Sequence, residues 1–192
     1  MRRALLALAT GQSGYFTAAQ ALGLGYGYPA QKFHADHGNW VRIDRGLFRL
    51  PGWPPAEYDS LVRWALWARG KAVVSHESAL VVHELGDVNP ALVHLTVPAN
   101  FRPRAPGVRL HHADVAADDI VERTGFRVTT PLRTLLDVAA GNLDLDLLAT
   151  AIGDALEIGL VTRPQILGRV DAHGEHAALR LERALQLVVT ST

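Results

Sequence analysis

Residues 38–50, Gly38-Asn39-Trp40-Val41-Arg42-Ile43-Asp44-Arg45-Gly46-Leu47-Phe48-Arg49-Leu50, read as two short alternating runs joined by a turn at Asp44-Arg45-Gly46, which is a β-hairpin. What precedes the hairpin gives it meaning. Arg2 to Thr10 is a short helical pattern stopped by Gly11, and Thr17 stands as N-cap to Ala18–Leu22, which Gly23 stops. After the turn Gly25-Tyr26-Gly27-Tyr28, Pro29 suits the first position of a third helix that runs to about His37 and ends at Gly38. Three helices followed by a hairpin is the order of a winged helix-turn-helix.

If Ala30, Phe33 and His37 face the body, then Tyr28, Gln31, Lys32 and Ala35 face outward. Glutamine pairs bidentately with adenine, lysine meets guanine or phosphate, and alanine is small enough for a thymine methyl, so these are types a reading helix uses. In the hairpin Val41, Ile43, Phe48 and Leu50 share one face, while Trp40, Arg42, Leu47 and Arg49 share the other with Arg45 at the tip. Three guanidinium groups there suit a phosphate backbone or a minor groove, and equally a solvated hairpin edge. The expected DNA-binding residues are thus Tyr28, Gln31, Lys32, Ala35, Arg42, Arg45 and Arg49.

Charge supports a division of labour along the chain. The 192 residues carry 19 basic and 19 acidic side chains, yet residues 1–50 hold six basic against two acidic ones, a surplus of four that the remainder reverses. With 48% hydrophobic and 20% charged residues the composition is that of a soluble globular protein with a real core. The absence of cysteine excludes disulfides, thiolate metal sites and cysteine nucleophiles. Arg2-Arg3 before Ala4–Ala9 imitates a signal-peptide start, but the apolar run is short, and none approaches the ~18 residues of a membrane span. No membrane partner is expected.

Pro51-Gly52-Trp53-Pro54-Pro55 is the expected linker. Beyond it the pattern predicts a helix over 57–69, a strand over 72–74, a helix capped by Ser75, strands over 92–97 and 108–112, and a hairpin over 120–128 about Thr124-Gly125. Helices follow at Pro131–Gly141, Asp144–Ile158, Arg163–Val170 and Glu175–Val189. The fold class is therefore α+β: an N-terminal winged helix-turn-helix at 1–50, and at 56–192 a mixed α/β domain with a short sheet and C-terminal helices.

Catalytic and metal chemistries find no complete motif. His76-Glu77 begins like a zincin helix, but Leu80 stands where the second ligand belongs. His111 and His112, adjacent on a strand, point to opposite faces, and Gly174 separates His173 from a firm helix start at His176. Neither lysine follows an acidic residue in the acidic-x-Lys pattern of a restriction-type nuclease. Asp144-Leu145-Asp146 reads as a helix N-terminal acid cluster, Gly23-Leu24-Gly25-Tyr26-Gly27 as a turn, and Ser75-His76 with Asp87 lacks a nucleophile elbow. The expectation is a chain that is not an enzyme and needs no cofactor or metal.

Five stretches of the sequence carry a family resemblance. Tyr15–Gly23 with Gly38–Leu50 resemble the winged helix of AbiEi-type antitoxins of type IV toxin–antitoxin systems. Ser75-His76-Glu77-Ser78-Ala79-Leu80, Val93-His94-Leu95-Thr96-Val97-Pro98 and Val128–Asp137 are similar to the C-terminal region of the same group, in the same order. The resemblance implies a cytoplasmic transcriptional autorepressor that binds double-stranded operator DNA, with a second domain that helps neutralise a nucleotidyltransferase-like toxin without requiring a direct complex. Where reading helices of that family carry further basic residues this chain has Phe33-His34-Ala35-Asp36-His37, which implies either a modest DNA affinity or one that depends on a homodimer. The alternative is a winged-helix regulator whose C-terminal domain senses a ligand or dimerises, with no toxin.

Overall fold

In the computed structural model, which describes residues 1–190, the chain folds as two units, the first made of residues 1–72 and 122–126 and the second of 73–121 with the residues from 127 onward. The first unit opens with α1 (Arg2–Thr10), β1 (Tyr15–Thr17), α2 (Ala18–Gly23), α3 (Tyr28–Asp36), β2 (Val41–Asp44) and β3 (Leu47–Arg49), a winged helix-turn-helix. Thr17 and Gln20 form a capping box that starts α2: the Gln20 backbone N–H donates to Thr17 Oγ1 at 3.1 Å, and the Thr17 N–H donates to Gln20 Oε1 at 2.8 Å. The three strands pair antiparallel in the order β1-β3-β2. Strand β1 escapes a periodicity reading because three residues are too few to show alternation.

The small sheet is covered on both faces. Phe16 and Phe48, opposite each other in register, join Leu5, Ala9, Ala21, Tyr26 and Trp40 in the core beneath the helices. On the other face Tyr15 and Leu47 are also buried, and β1 packs against α4 (Asp59–Trp67). This second cover corrects the expected boundary. The Pro51–Pro55 segment lies within the first unit, and the division falls at Ala72/Val73, because α4 shields a sheet face that a head of fifty residues would leave wet. Arg49 fastens that arrangement: its Nη2 donates to Asp59 Oδ2 at 2.6 Å, its Nε to Ser13 O at 3.1 Å, and its guanidinium lies over the Tyr15 ring at 4.6 Å.

The second unit is built on a five-stranded sheet in the order β6-β5-β4-β8-β7, from β4 (Val73–Val74), β5 (Val93–Val97), β6 (Val108–His112), β7 (Ile120–Arg123) and β8 (Phe126–Thr129). Strand β4 runs antiparallel to β5 and parallel to β8, and β5 runs parallel to β6. The helices are α5 (His76–Val82), α6 (Pro131–Ala140), α7 (Leu145–Glu157), α8 (Arg163–Leu167) and α9 (Glu175–Thr190). Leu80, Leu135, Leu136, Leu148, Ile152, Ile166 and Leu181 are fully buried in one helical core. Asp144 is the N-cap of α7, accepting from the Asp146 N–H at 2.8 Å, so the Asp144-Leu145-Asp146 cluster serves a helix start. None of the helices among the described residues is long and apolar enough to cross a membrane.

Candidate functional site

The second and third helices of the first unit are joined by the turn Leu24–Gly27, with Tyr26 buried beneath it. Gln31 locks this joint. Its Nε2 donates to Tyr26 O at 2.8 Å and to Ala18 O at 3.0 Å, and the residue is 4% exposed. Two expected reading residues are thereby corrected. Gln31 faces inward, and Ala35 is half-buried against the core, because the helix is rotated from the expected phase by the pull of those two carbonyls. The outward face of α3 carries Tyr28, Pro29, Lys32, Phe33, Asp36 and His37. Phe33 and His37, expected to face the body, are exposed and stacked on each other, ring centroids 4.0 Å apart.

The hairpin differs from its expected facing for a definite reason. Arg42 pairs with Phe48 and Asp44 with Leu47, so a bulge at Ile43 breaks the alternation that assigned the faces. Trp40 and Leu47 are buried instead of sharing an outer face with the arginines, and Val41 is exposed. Arg45 stands exposed at the turn, where Asp44 Oδ1 accepts its backbone N–H at 2.6 Å. Arg42 is exposed, with its guanidinium 5.2 Å from the Phe48 ring centroid. Arg49 is withdrawn from the wing by Asp59, Ser13 and Tyr15.

Of the expected DNA-binding set, Tyr28, Lys32, Arg42 and Arg45 therefore remain on the surface. Lys32 pairs with Asp36 across one helical turn. That pairing holds the Asp36 carboxyl below its usual range, and the charges of His37 and Arg42 lower it further.

The second unit holds a polar cluster that the sequence dispersed. Ser75 follows β4 as the N-cap of α5, and His76 opens that helix with φ +51°, a left-handed conformation uncommon in a residue with a side chain. Ser75 is fully buried and is used inside the network: its Oγ accepts from Thr96 Oγ1 at 2.8 Å and lies 3.0 Å from His76 Nδ1. The β5–β6 register sets His111 beside Thr96, and His76 stacks on His111 with ring centroids 3.4 Å apart and planes 12° apart. His111 Nε2 lies 3.3 Å from Nδ1 of buried His94, which in turn meets Glu77 Oε2 at 2.5 Å. Burial lowers the pKa of His76, against the pull of Asp137 and Glu77. His111 is lowered to about 4 by burial and by the neighbouring His76 and His94.

On α6, Arg133 Nε donates to Asp137 Oδ1 at 2.7 Å, and His173 Nε2 lies 3.6 Å from the same oxygen. Burial alone would raise the Asp137 carboxyl, but His173, His76 and Arg133 outweigh it and leave the group below its usual range. Its other oxygen, Oδ2, is buried without a hydrogen-bond partner. Arg169 grips buried Asp119 with two hydrogen bonds of 2.7 and 2.9 Å. Among the described residues no group of three or more histidine, cysteine, aspartate or glutamate side chains is disposed to hold a metal ion. A signal for this cluster was present in the sequence as His and Ser at strand ends, but pairing register, which no local pattern specifies, is what unites them.

No family model matches the chain, and no curated protein matches it. Among solved structures, it is similar to the RV2827C protein from Mycobacterium tuberculosis, with a TM-score of 0.65 and 17% sequence identity over 97% of this chain and 76% of that one. At that identity the likeness is one of fold.

Proposed function

We propose that this chain is a DNA-binding transcriptional autorepressor and the antitoxin of a type IV toxin–antitoxin system, acting in the cytoplasm without catalysis against a nucleotidyltransferase-like toxin. The observation that carries the DNA half is the exposure of Lys32 on the outer face of α3 and of Arg42 and Arg45 on the hairpin of a winged helix-turn-helix. The antitoxin half rests on the resemblance of Ser75–Leu80, Val93–Pro98 and Val128–Asp137 to AbiEi-type proteins.

The test has two arms. The full chain should shift the duplex upstream of its own reading frame, with a slope of about −3 in log K against log salt for three phosphate contacts. Coexpression should restore growth to cells arrested by a nucleotidyltransferase encoded beside it. A flat salt dependence removes the DNA half, and absence of rescue from an active toxin removes the antitoxin half. In the second case the orphaned Asp137 Oδ2 beside His76 favours the other reading, a regulator whose second unit senses a ligand.

A further inference from the structure

Phe33 stands in the middle of the outward face of α3 and is 51% exposed, in line with Tyr28 at 69% and exposed Pro29. Single exposed apolar side chains are ordinary on protein surfaces. These three form a continuous stripe along the helix that a winged helix-turn-helix points at its ligand, which is a different matter. The ring is also held in place. It stacks on His37 at 4.0 Å and 28°, meets the edge of His34 at 5.7 Å and 77°, and His37 is fixed in turn by Nδ1 lying 2.8 Å from the Phe33 carbonyl oxygen. A side chain held this way loses little rotamer freedom when it meets a partner.

The stripe is rimmed by exposed Lys32, which pairs with Asp36 one turn on. Apolar in the middle and cationic at the edge, this face matches the major groove of a duplex, where phosphates line the walls and the C5-methyl of thymine is the apolar group on the floor. We propose that Phe33 is a base-reading residue that takes a thymine methyl, an inference that rests on the DNA-binding reading above. A G·C pair offers no such group, so the side chain discriminates by loss of contact.

The experiment uses the full chain and duplexes that it enriches from a random-sequence pool. Each thymine of an enriched duplex is replaced in turn by deoxyuridine, which keeps every hydrogen bond and removes one methyl. At one or two positions the dissociation constant should rise about fourfold, the value of one methyl taken from water. Phe33→Ala should bind the thymine duplex more weakly and be indifferent to uracil at those positions, while Lys32→Ala should keep the discrimination and reduce the salt slope by about one. Indifference of the wild-type chain to every replacement, or unchanged discrimination by a folded Phe33→Ala, overturns the proposal. Failure to enrich any duplex is a distinct result: it removes the DNA-binding reading itself, and this inference with it.

Discussion

His76 and His111 lie face to face, rings 3.4 Å apart, in a network where at most one of the pair accommodates a proton without repulsion. The groups that act on them are Glu77 on α5, His94 on β5, and Asp137 and Arg133 on α6. Both rings have pKa values below the unfolded value near 6.5, so the unfolded chain takes up protons first as pH falls. Their contribution to stability is complete above pH 6.5 and is lost as pH drops from there toward 4. Thermal melting of the full chain should therefore be level from pH 8 to 7 and decline below 6.5, before the carboxylates Glu77 and Asp137 begin to protonate. His111→Gln should flatten that decline, and a parallel curve for the variant would refute the assignment.

Arg49 gives the sharpest separation between a structural and a binding cation. Arg49→Ala leaves Asp59 half-buried without its partner and strips the cation from the Tyr15 ring, a loss of about 1–3 kcal/mol in urea unfolding. Arg49→Lys should recover little, because it lacks the planar fork that reaches Ser13 O and Asp59 together. Arg45→Ala should behave in the opposite way, with stability unchanged and the salt slope of DNA binding smaller by about one.

Removing the Gln31 amide leaves two buried carbonyls, Ala18 O and Tyr26 O, each without this donor. Gln31→Leu should cost about 1–3 kcal/mol of stability and weaken binding to all duplexes alike, since the residue positions α3 and touches no base. A change in preference at one base position, measured on a panel of single-substituted duplexes, would return Gln31 to the reading face.

Two glycines with left-handed backbone make a controlled pair. Gly38 has φ +71° with open space around a built Cβ, whereas Gly14 has φ +82° and its Cβ would lie 2.4 Å from Trp53 Cγ. Gly38→Ala should cost about 1 kcal/mol, the backbone term alone. Gly14→Ala should cost clearly more and move Trp53, so a shift in tryptophan emission is expected for that variant alone of the two. Equal costs would mean that Trp53 gives way freely.

Helix starts were legible because they are local: Thr17, Pro29, Thr130 with Pro131, and Asp144 each announce one that the structure contains. Facing was less legible. In α3 a short helix with polar residues on both sides offers two phases, and the choice was settled by hydrogen bonds from Gln31 to carbonyls five and thirteen residues away. In the hairpin one bulged residue, Ile43, exchanged the expected faces. The histidine cluster was hidden because His76, His94 and His111 meet through strand pairing, a relation between distant segments that carries no periodic signature.

The residues 122–126, at the turn of the β7–β8 hairpin, belong to the first unit although the chain on either side belongs to the second. Phe126 is buried there against Tyr58, and a Cβ on Gly125 would lie 3.0 Å from the Gly11 carbonyl oxygen and from Val62. The first unit is thus not one continuous stretch of chain. A fragment of residues 1–72 would carry the unit's beginning without its final piece, so excision of the first unit needs a graft and not a single cut.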